Sequence, residues 1–416
     1  MATGRGCNAV DGFYIRSQLR CEQVPMQGFI IISISIIGGL WLILLAATLL
    51  GMPRDLVIDE SSPADLPANP PLVSILVPAR NEQENIRRCI ESLLAQDYPD
   101  FEIIVANDRS TDQTEPMVRQ MAAGKSPRLR LINVDTLPDG WTGKTHALHL
   151  AAKQARGEWL VFTDADTYHT PTCLRRSMNH ILRHRVDLFS TVGRMENRTF
   201  WEKCLTPLLG IGLMMWYPPT LVNSQRFSLG FANGQFIIIR RAAYDAIGGH
   251  EAVCGELLED IAMGRRAKQF GFQLRLALAP HLYTTRMYPS FKQFFLGWSR
   301  IMLNGLQKSP LRLGIFIVFG LVMSLYPTFL ALIFGCQLIL YHDAQAGLLF
   351  AACLAVYGIK VWTVSSTYFV SGTKRRYALL NPANTVVMLA ILGHAFYKAI
   401  NKNSRIEWRG TQYSTR

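Results

Sequence analysis

An apolar run, Leu160-Val-Phe-Thr163, stops abruptly at Asp164 and Asp166. Residues i and i+2 of a strand share one face, so this spacing predicts that the two carboxylates converge where the strand ends. Hard divalent cations take oxygen ligands, and Mg²⁺ is typically held by one or two carboxylates together with substrate phosphates. Two aspartates also suit a turn or the cap of a following helix. The pair therefore gains meaning from what the rest of the chain sets beside it.

Several other polar groups fall where they would meet the same ligand. Pro78-Ala79-Arg80-Asn81-Glu82 follows one strand candidate and Asn107-Asp108 closes another. Asp108 can accept hydrogen bonds from a ribose or a base edge. In Trp141-Thr-Gly-Lys144 the lysine is a mobile point charge suited to a diphosphate, and Gly143 lets the backbone approach a ligand closely. Glu259-Asp260 stands before a helical stretch, where the helix dipole favours a carboxylate; the pair suits either a cap or a general base that takes the proton of an attacking hydroxyl. Together with Mg²⁺ or Mn²⁺ on Asp164 and Asp166, this set fits a nucleoside diphosphate. The phosphate-cradling GxxxxGK[ST] loop is absent, as is GxGxxG after the first strand, so neither an NTPase nor a dinucleotide enzyme is indicated.

The elements that must position these residues alternate. Strands are predicted at 73–78, 101–105, 129–134 and 159–163, and helices at 85–95, 111–123 and 145–155. Such alternation predicts βαβ units, a largely parallel sheet and ligands beyond the carboxyl ends of its strands. Further on, 236–239 and 273–277 read as strands and 259–270 as a helix. The stretch 200–219 is apolar, with Trp201, Trp216 and Tyr217, but Lys203 and Pro207 interrupt it; it reads as core, as an interfacial segment or as an acceptor groove rather than as a span.

A bilayer core needs about 20 apolar residues as helix. Residues 28–50 meet this as an uncleaved anchor, following a segment 1–27 in which Met26 is a candidate natural start, and 313–341 and 347–370 meet it as a hairpin. Residues 51–71, acidic and rich in proline, read as an extended linker. The expected organisation is then a catalytic domain at 72–289, an interfacial helix at 290–310 carrying Phe291, Phe294, Phe295 and Trp298, the hairpin at 311–371, and a tail at 372–416. In the tail, 385–395 is short and reads as re-entrant or interfacial. Lys374-Arg-Arg376 after the hairpin puts the catalytic domain in the cytosol of a multi-pass protein of the cell membrane; Arg5, Arg16 and Arg20 before the first span argue the opposite orientation.

The ordered set VSILVPARNE, VANDRSTDQT, FTDAD and LLED, from about Leu72 to Gly305, resembles the family 2 glycosyltransferases of GT-A fold. Within it, WTGKTHALHLAAKQARGEW, GRMENRTFWEK, RMYPSFKQFFLGWSR and EWRGTQY are most similar to the branch that glycosylates isoprenoids and lipids: carotenoid glycosyltransferases of the diaponeurosporenoate type, hopanoid-associated enzymes and, more remotely, ceramide glucosyltransferases. The resemblance implies a Rossmann-like, mostly parallel α/β catalytic domain flanked by N- and C-terminal transmembrane helices. It implies that Ala79, Arg80, Glu82 and Asp108 line the nucleoside pocket, that Lys144 and Asp164 contact the nucleotide sugar, that Asp166 is the main metal ligand, and that Asp260, with Glu259 beside it, is the base of an inverting single displacement. The donor is expected to be a UDP-sugar and the acceptor a lipid or isoprenoid. Processive synthases of the family carry QxxRW on an interfacial helix. Here the stretch is Phe295-Leu-Gly-Trp-Ser-Arg300, which favours one sugar per acceptor and leaves Trp298 and Arg300 to close over the diphosphate.

The formal charge of +13 permits anionic partners. With no nucleic-acid motif, these are expected to be a membrane surface and a phosphorylated substrate rather than nucleic acid. The eight cysteines are scattered without a CxxC pair, against a zinc site or a disulfide framework. Two other readings stay open. A polyprenyl-phosphate acceptor is already ionised and needs no base, which an intact Glu259-Asp260 disfavours. A non-catalytic scaffold or transporter would retain the fold without the chemistry, and in a transporter ionisable groups within the spans are expected; Lys360 is the one such group in the three spans.

Overall fold

The structure, a computed structural model, describes residues 8–49, 56–124, 127–288, 290–401, 405–408 and 411–414. The expected N-terminal segment in part, the start of the linker, and Lys402 and Arg409 of the tail lie outside them.

A long helix, α1 (Asn8–Leu49), precedes the α/β domain. The domain then alternates: β1 (Val73–Ala79), α2 (Ile86–Leu94), β2 (Phe101–Asp108), α3 (Thr114–Gly124), β3 (Leu129–Val134), α4 (Gly143–Gln154), β4 (Trp159–Thr163), the short β5 (Thr167–His169) and α5 (Cys173–His184). After β6 (Leu188–Val192) and β7 (Arg194–Met195) come α6 (Phe200–Trp216), α7 (Pro219–Val222), β8 (Phe236–Arg240), α8 (Arg241–Ala246), α9 (Glu259–Gln269), β9 (Leu274–Leu278) and β10 (Tyr283–Thr285). The helical region holds α10 (Phe291–Gly305), α11 (Pro310–Gly320), α12 (Tyr326–Tyr341), α13 (Ala344–Val370) and α14 (Asn381–Ile400), and the strands β11 (Arg405–Trp408) and β12 (Thr411–Ser414) pair at the end.

Seven strands form one sheet in the order β3-β2-β1-β4-β8-β6-β9. It is parallel except that β8 runs antiparallel to both β4 and β6. Both faces are covered, which is why β1 and β2 read as near-continuous apolar runs. Val73, Ile75 and Val77 of β1 face a layer with Ile86 and Ile90 of α2 and Met178 of α5. Leu76, on the other face, packs with Ala147 and Leu148 of α4 and Met263 of α9. A second small sheet, β5-β10-β7, stands beyond the β4 end.

Three sequence expectations change. The stretch from 56 is not an extended linker, because it packs on the domain: Leu56 and Ile58 are buried, Ile58 N–H donates to Leu278 O at 2.8 Å, and the Ser62 and Asp65 carbonyls accept from Arg176 and Asn179. Burying a side chain such as Ile58 contributes roughly 1.5–3 kcal/mol, which outweighs the proline-rich composition. Pro207 does not break its segment, since α6 carries it inside the helix, buried, behind a capping box between Thr199 and Glu202. Helices α11 and α12 are joined by a π-helical turn, Leu321–Leu325, so that 310–341 is one continuous helical stretch. The segment expected at 385–395 is the 20-residue α14.

Among the described residues, five helical stretches are long and apolar enough to cross a membrane: 27–48, 200–222, 310–341, 344–368 and 375–400. The protein is membrane-associated.

Candidate active site

Residues at the carboxyl ends of β1, β2 and β4 are held by short polar contacts. After β1 the chain turns through Asn81 in the left-handed region, φ 54°, which asparagine tolerates. Its Oδ1 accepts the Thr111 N–H at 2.8 Å, and the Glu82 N–H donates to Thr114 Oγ1 at 2.8 Å. Glu82, buried, accepts from Asn85. Asp108, at the end of β2, is buried between two guanidinium groups: Arg109 Nε lies 2.7 Å from one oxygen and Arg80 Nη1 3.6 Å from the other. Gly143 packs against that carboxylate, and a Cβ there would overlap it.

The start of α4 is tied to the approach to α9. Thr142 and Thr145 form a capping box, while Thr142 N–H and Thr145 Oγ1 both donate to Cys254 O, at 2.8 and 2.6 Å. This sets Lys144, on the first turn of α4, against the first turn of α9. Its Nζ lies 2.8 Å from Asp164 Oδ1 and 2.8 Å from Glu259 Oε1. Burial works against the ammonium, but Asp164, Glu259 and Asp260 outweigh it and lift its pKa above the ordinary lysine value.

Asp260 Oδ2 accepts the Gly234 N–H at 2.7 Å and its Oδ1 accepts its neighbour Ile261's N–H at 2.8 Å. Desolvation and the charge of Glu259 nevertheless push its pKa up to about 7, against the pull of Lys144 and of those two donors.

The Asp164–Asp166 pair is arranged differently from the strand-face expectation. Strand β4 ends at Thr163, and Asp164-Ala-Asp166 forms a turn closed by Thr167, whose N–H and Oγ1 donate to Asp164 O at 3.3 and 2.6 Å. Both side chains still face one cavity, because the turn, not the pleat, aims them. Thr285 Oγ1, from β10, donates to Asp166 Oδ1 at 3.4 Å.

That cavity measures about 790 Å³, and all eleven candidate residues line it. Ala79, Arg80, Glu82 and Asp108 line it from the ends of β1 and β2; Lys144, Asp164, Asp166, Glu259 and Asp260 line it from α4, the turn after β4 and α9; Trp298 and Arg300 line it from α10. Trp298 is buried against Phe294 as well, ring centroids 6.2 Å apart. The lining of the cavity also includes the apolar side chains of Met195, Leu213, Leu257, Met287, Leu296 and Ile301. Sequence reasoning missed Thr285, Gly234, Asn233 and Lys398, which also border it. Asn233-Gly234 carries a turn signal before β8. Thr285 and Lys398 carry none, since each reaches the cavity from outside the main sheet.

The paired carboxylates Asp164 and Asp166 are hard oxygen donors facing the cavity, and that donor set suits a divalent cation. Among the described residues no cluster of three or more His, Cys, Asp or Glu side chains with metal-binding spacing occurs, so a cation here would draw its other ligands from water and substrate phosphate, as Mg²⁺ commonly does.

Residues 74–248 match the family described as Glycosyl transferase family 2. The 4,4'-diaponeurosporenoate glycosyltransferase of Staphylococcus aureus strain MRSA252 is 22% identical over 357 residues, covering 82% of this chain and 88% of that one, and its counterpart in strain USA300 matches equally. Among solved structures, the mannosyltransferase PcManGT from Pyrobaculum calidifontis, in complex with GDP-Man and Mn²⁺, superposes with a TM-score of 0.52 at 18% identity, over 91% of this chain and 99% of that one. That likeness is one of fold, the GT-A arrangement of sheet and flanking helices. Residues 74–248 are therefore a glycosyl transferase family 2 domain, and the chain is a glycosyltransferase.

Proposed function

We propose that this chain is a membrane-bound, inverting glycosyltransferase that moves one hexose from a nucleoside-diphosphate sugar to a lipid or isoprenoid acceptor. The observation that carries the reading is one cavity lined by both polar and apolar groups. Its lining offers Arg80, Glu82, Asp108 and Lys144 to a nucleoside diphosphate, and its apolar groups, among them Leu213 of α6 and Leu296 and Ile301 of α10, offer a path for a lipid. The acceptor named for the S. aureus relatives is a carotenoid, which agrees with an apolar path.

The residues divide the work as follows. Asp108 receives hydrogen bonds from the nucleoside once Arg80 and Arg109 yield to it. Asp166, with Asp164, would hold Mg²⁺ or Mn²⁺, as PcManGT holds Mn²⁺; bound there, the cation would offset charge on the departing diphosphate. Lys144 keeps its charge and orients Asp164 and Glu259. Asp260 accepts the proton of an attacking acceptor hydroxyl, and Glu259, fixed on Lys144, keeps the Asp260 carboxyl basic. Trp298 and Arg300 cover the cavity from α10. The catalytic domain lies on the cytosolic side, with Lys374-Arg-Arg376.

The test is release of nucleoside diphosphate from a panel of UDP- and GDP-sugars, with purified protein, Mn²⁺ or Mg²⁺ and total membrane lipid, beside Asp166→Ala. The expected result is metal-dependent release, a new glycolipid on extraction, and loss of both in the variant. Undiminished transfer by Asp166→Ala would refute the assignment of the metal site.

A further inference from the structure

We infer that the surface formed by the first turns of α6 and α10 and the 371–380 connection is a docking site for anionic phospholipid headgroups, built at the mouth of the catalytic cavity. The inference rests on the membrane-bound reading above and adds to it the lipid class that the surface selects.

The surface is contiguous. Phe200 and Trp201 pack edge to face, centroids 5.3 Å apart; Trp201 meets Phe291 at 4.8 Å and Phe200 meets Tyr377 at 6.2 Å. Asn197 Nδ2 donates to Thr373 Oγ1 at 3.1 Å, fixing the connection to the domain. Although packed together, Phe200 is 51% exposed, Trp201 40%, Phe291 40% and the neighbouring Leu296 45%. Four large apolar side chains left open on adjoining turns mark an interaction surface.

Its charge selects the partner. Lys292 and the run Lys374, Arg375 and Arg376 are exposed among these rings. Two acidic side chains at the approach to α6 are engaged: Glu196 pairs with Arg198 at 2.9 Å, and Glu202 is buried, accepting the Arg198 and Thr199 N–H groups. Aromatic rings beside lysines and arginines suit the headgroup layer of an anionic leaflet.

Position agrees. The connection lies between α13 and α14, at the end of α13 nearest the catalytic domain. Tyr368, near that end, donates to Cys204 O of α6. Gly212 and Trp216 of α6 border Phe316 of α11, and Ser299 and Phe295 of α10 meet His394 of α14. Both α6 and α10 thus lie across the same ends of the apolar bundle. Gln293 and Leu296, beside Phe291 on α10, also line the cavity, so the surface adjoins the opening by which a lipid would enter.

The experiment reconstitutes the full chain in phosphatidylcholine vesicles and measures, by electron spin resonance, the relative association of spin-labelled phosphatidylglycerol and spin-labelled phosphatidylcholine with the protein. The expected preference for phosphatidylglycerol is about five-fold or more. It falls toward one in the Lys292→Gln, Lys374→Gln, Arg375→Gln, Arg376→Gln variant, and also in the unaltered protein as salt is raised. No preference, or one that both the variant and high salt leave intact, overturns the inference. If the variant does not fold, the salt titration decides alone. Because the readout needs no sugar transfer, absent transferase activity would refute the proposed function without touching this result.

Discussion

Two backbone N–H groups on a carboxylate normally make it more acidic, yet Asp260 is driven the other way, because it is desolvated and beside Glu259. A base with a pKa near 7 is matched to work at neutral pH. The expected kcat/KM therefore rises with pH through about 7 and levels above it; a profile flat from pH 5.5 to 8.5 would remove Asp260 from the role. Asp260→Asn should lower kcat by about 10²–10⁴ while donor binding, read by calorimetry, stays within a few-fold. The same shift has a stability consequence. The folded state holds this proton more tightly than the unfolded chain does, so the contribution is fully present at acid pH and is lost as pH rises through about 7. Thr285 donates to Asp166 from β10, so its expected role is to position that carboxylate. Thr285→Val removes the hydroxyl that orients this carboxylate; loss of such a partner typically costs 10–100-fold in metal affinity. Mn²⁺ binding followed by electron paramagnetic resonance should weaken by at least about tenfold, with Thr285→Ser restoring it; unchanged affinity would leave the threonine a purely structural role.

At the scale of elements, the parts legible in sequence are those that periodicity dictates. Strands β1 to β4 and the helices between them follow from their apolar spacing, and their carboxyl ends were marked by Arg80, Asp108 and Asp164. What was not legible depended on tertiary partners. Leu56 and Ile58 look like linker until β9 is there to pair with. Pro207 looks like a breaker until a capped helix start and a buried environment hold α6 around it. Thr285 comes from β10 in the small sheet, whose pairing with β5 no local pattern announces. The π-helical turn at Leu321–Leu325 is another such case. It places Ser324 where its carbonyl and hydroxyl accept from the buried Lys360, at 3.4 and 3.3 Å, while Ser324 Oγ also meets Asn381 and Thr385. Removing an acceptor from a buried cation costs more than removing the cation with it. Ser324→Val is expected to destabilise the detergent-solubilised protein by about 1–3 kcal/mol, and Lys360→Met by less; the thermal midpoints of the two variants check the order, and the reverse order would show that the lysine, not its acceptors, holds the turn.

At the scale of the molecule, the question is how many helices cross the bilayer. Helix α1 packs beside the hairpin: Gln27 meets Gln345 at the α12–α13 link, and Trp41 Nε1 donates to Met323 O partway along. The two ends of α14 have a different relation to α11. Asn381 and Thr385 meet Ser324, Gly320 faces Leu389, and Gly314 borders Phe396. Helix α14 thus starts beside the middle of the 310–341 stretch and runs back toward Pro310, where Lys398 lines the catalytic cavity. Its 20 residues are long enough to span about 30 Å, but in this bundle that length is spent returning to the side on which α11 begins. The arrangement predicts three crossings, by α1, by α11 with α12, and by α13, with α14 re-entrant. The carboxyl terminus and the catalytic domain then share one face, and the His342–Asp343 link lies on the other. Cysteines introduced at Arg183 on α5 and at Gln345 should react with a membrane-impermeant maleimide from opposite faces of sealed vesicles, above the labelling of the parent chain. A reporter fused after Arg416 should follow Arg183→Cys. If α14 crossed instead, the reporter would follow Gln345→Cys, and Lys398 could not reach the cavity that Asp260 and Lys144 define.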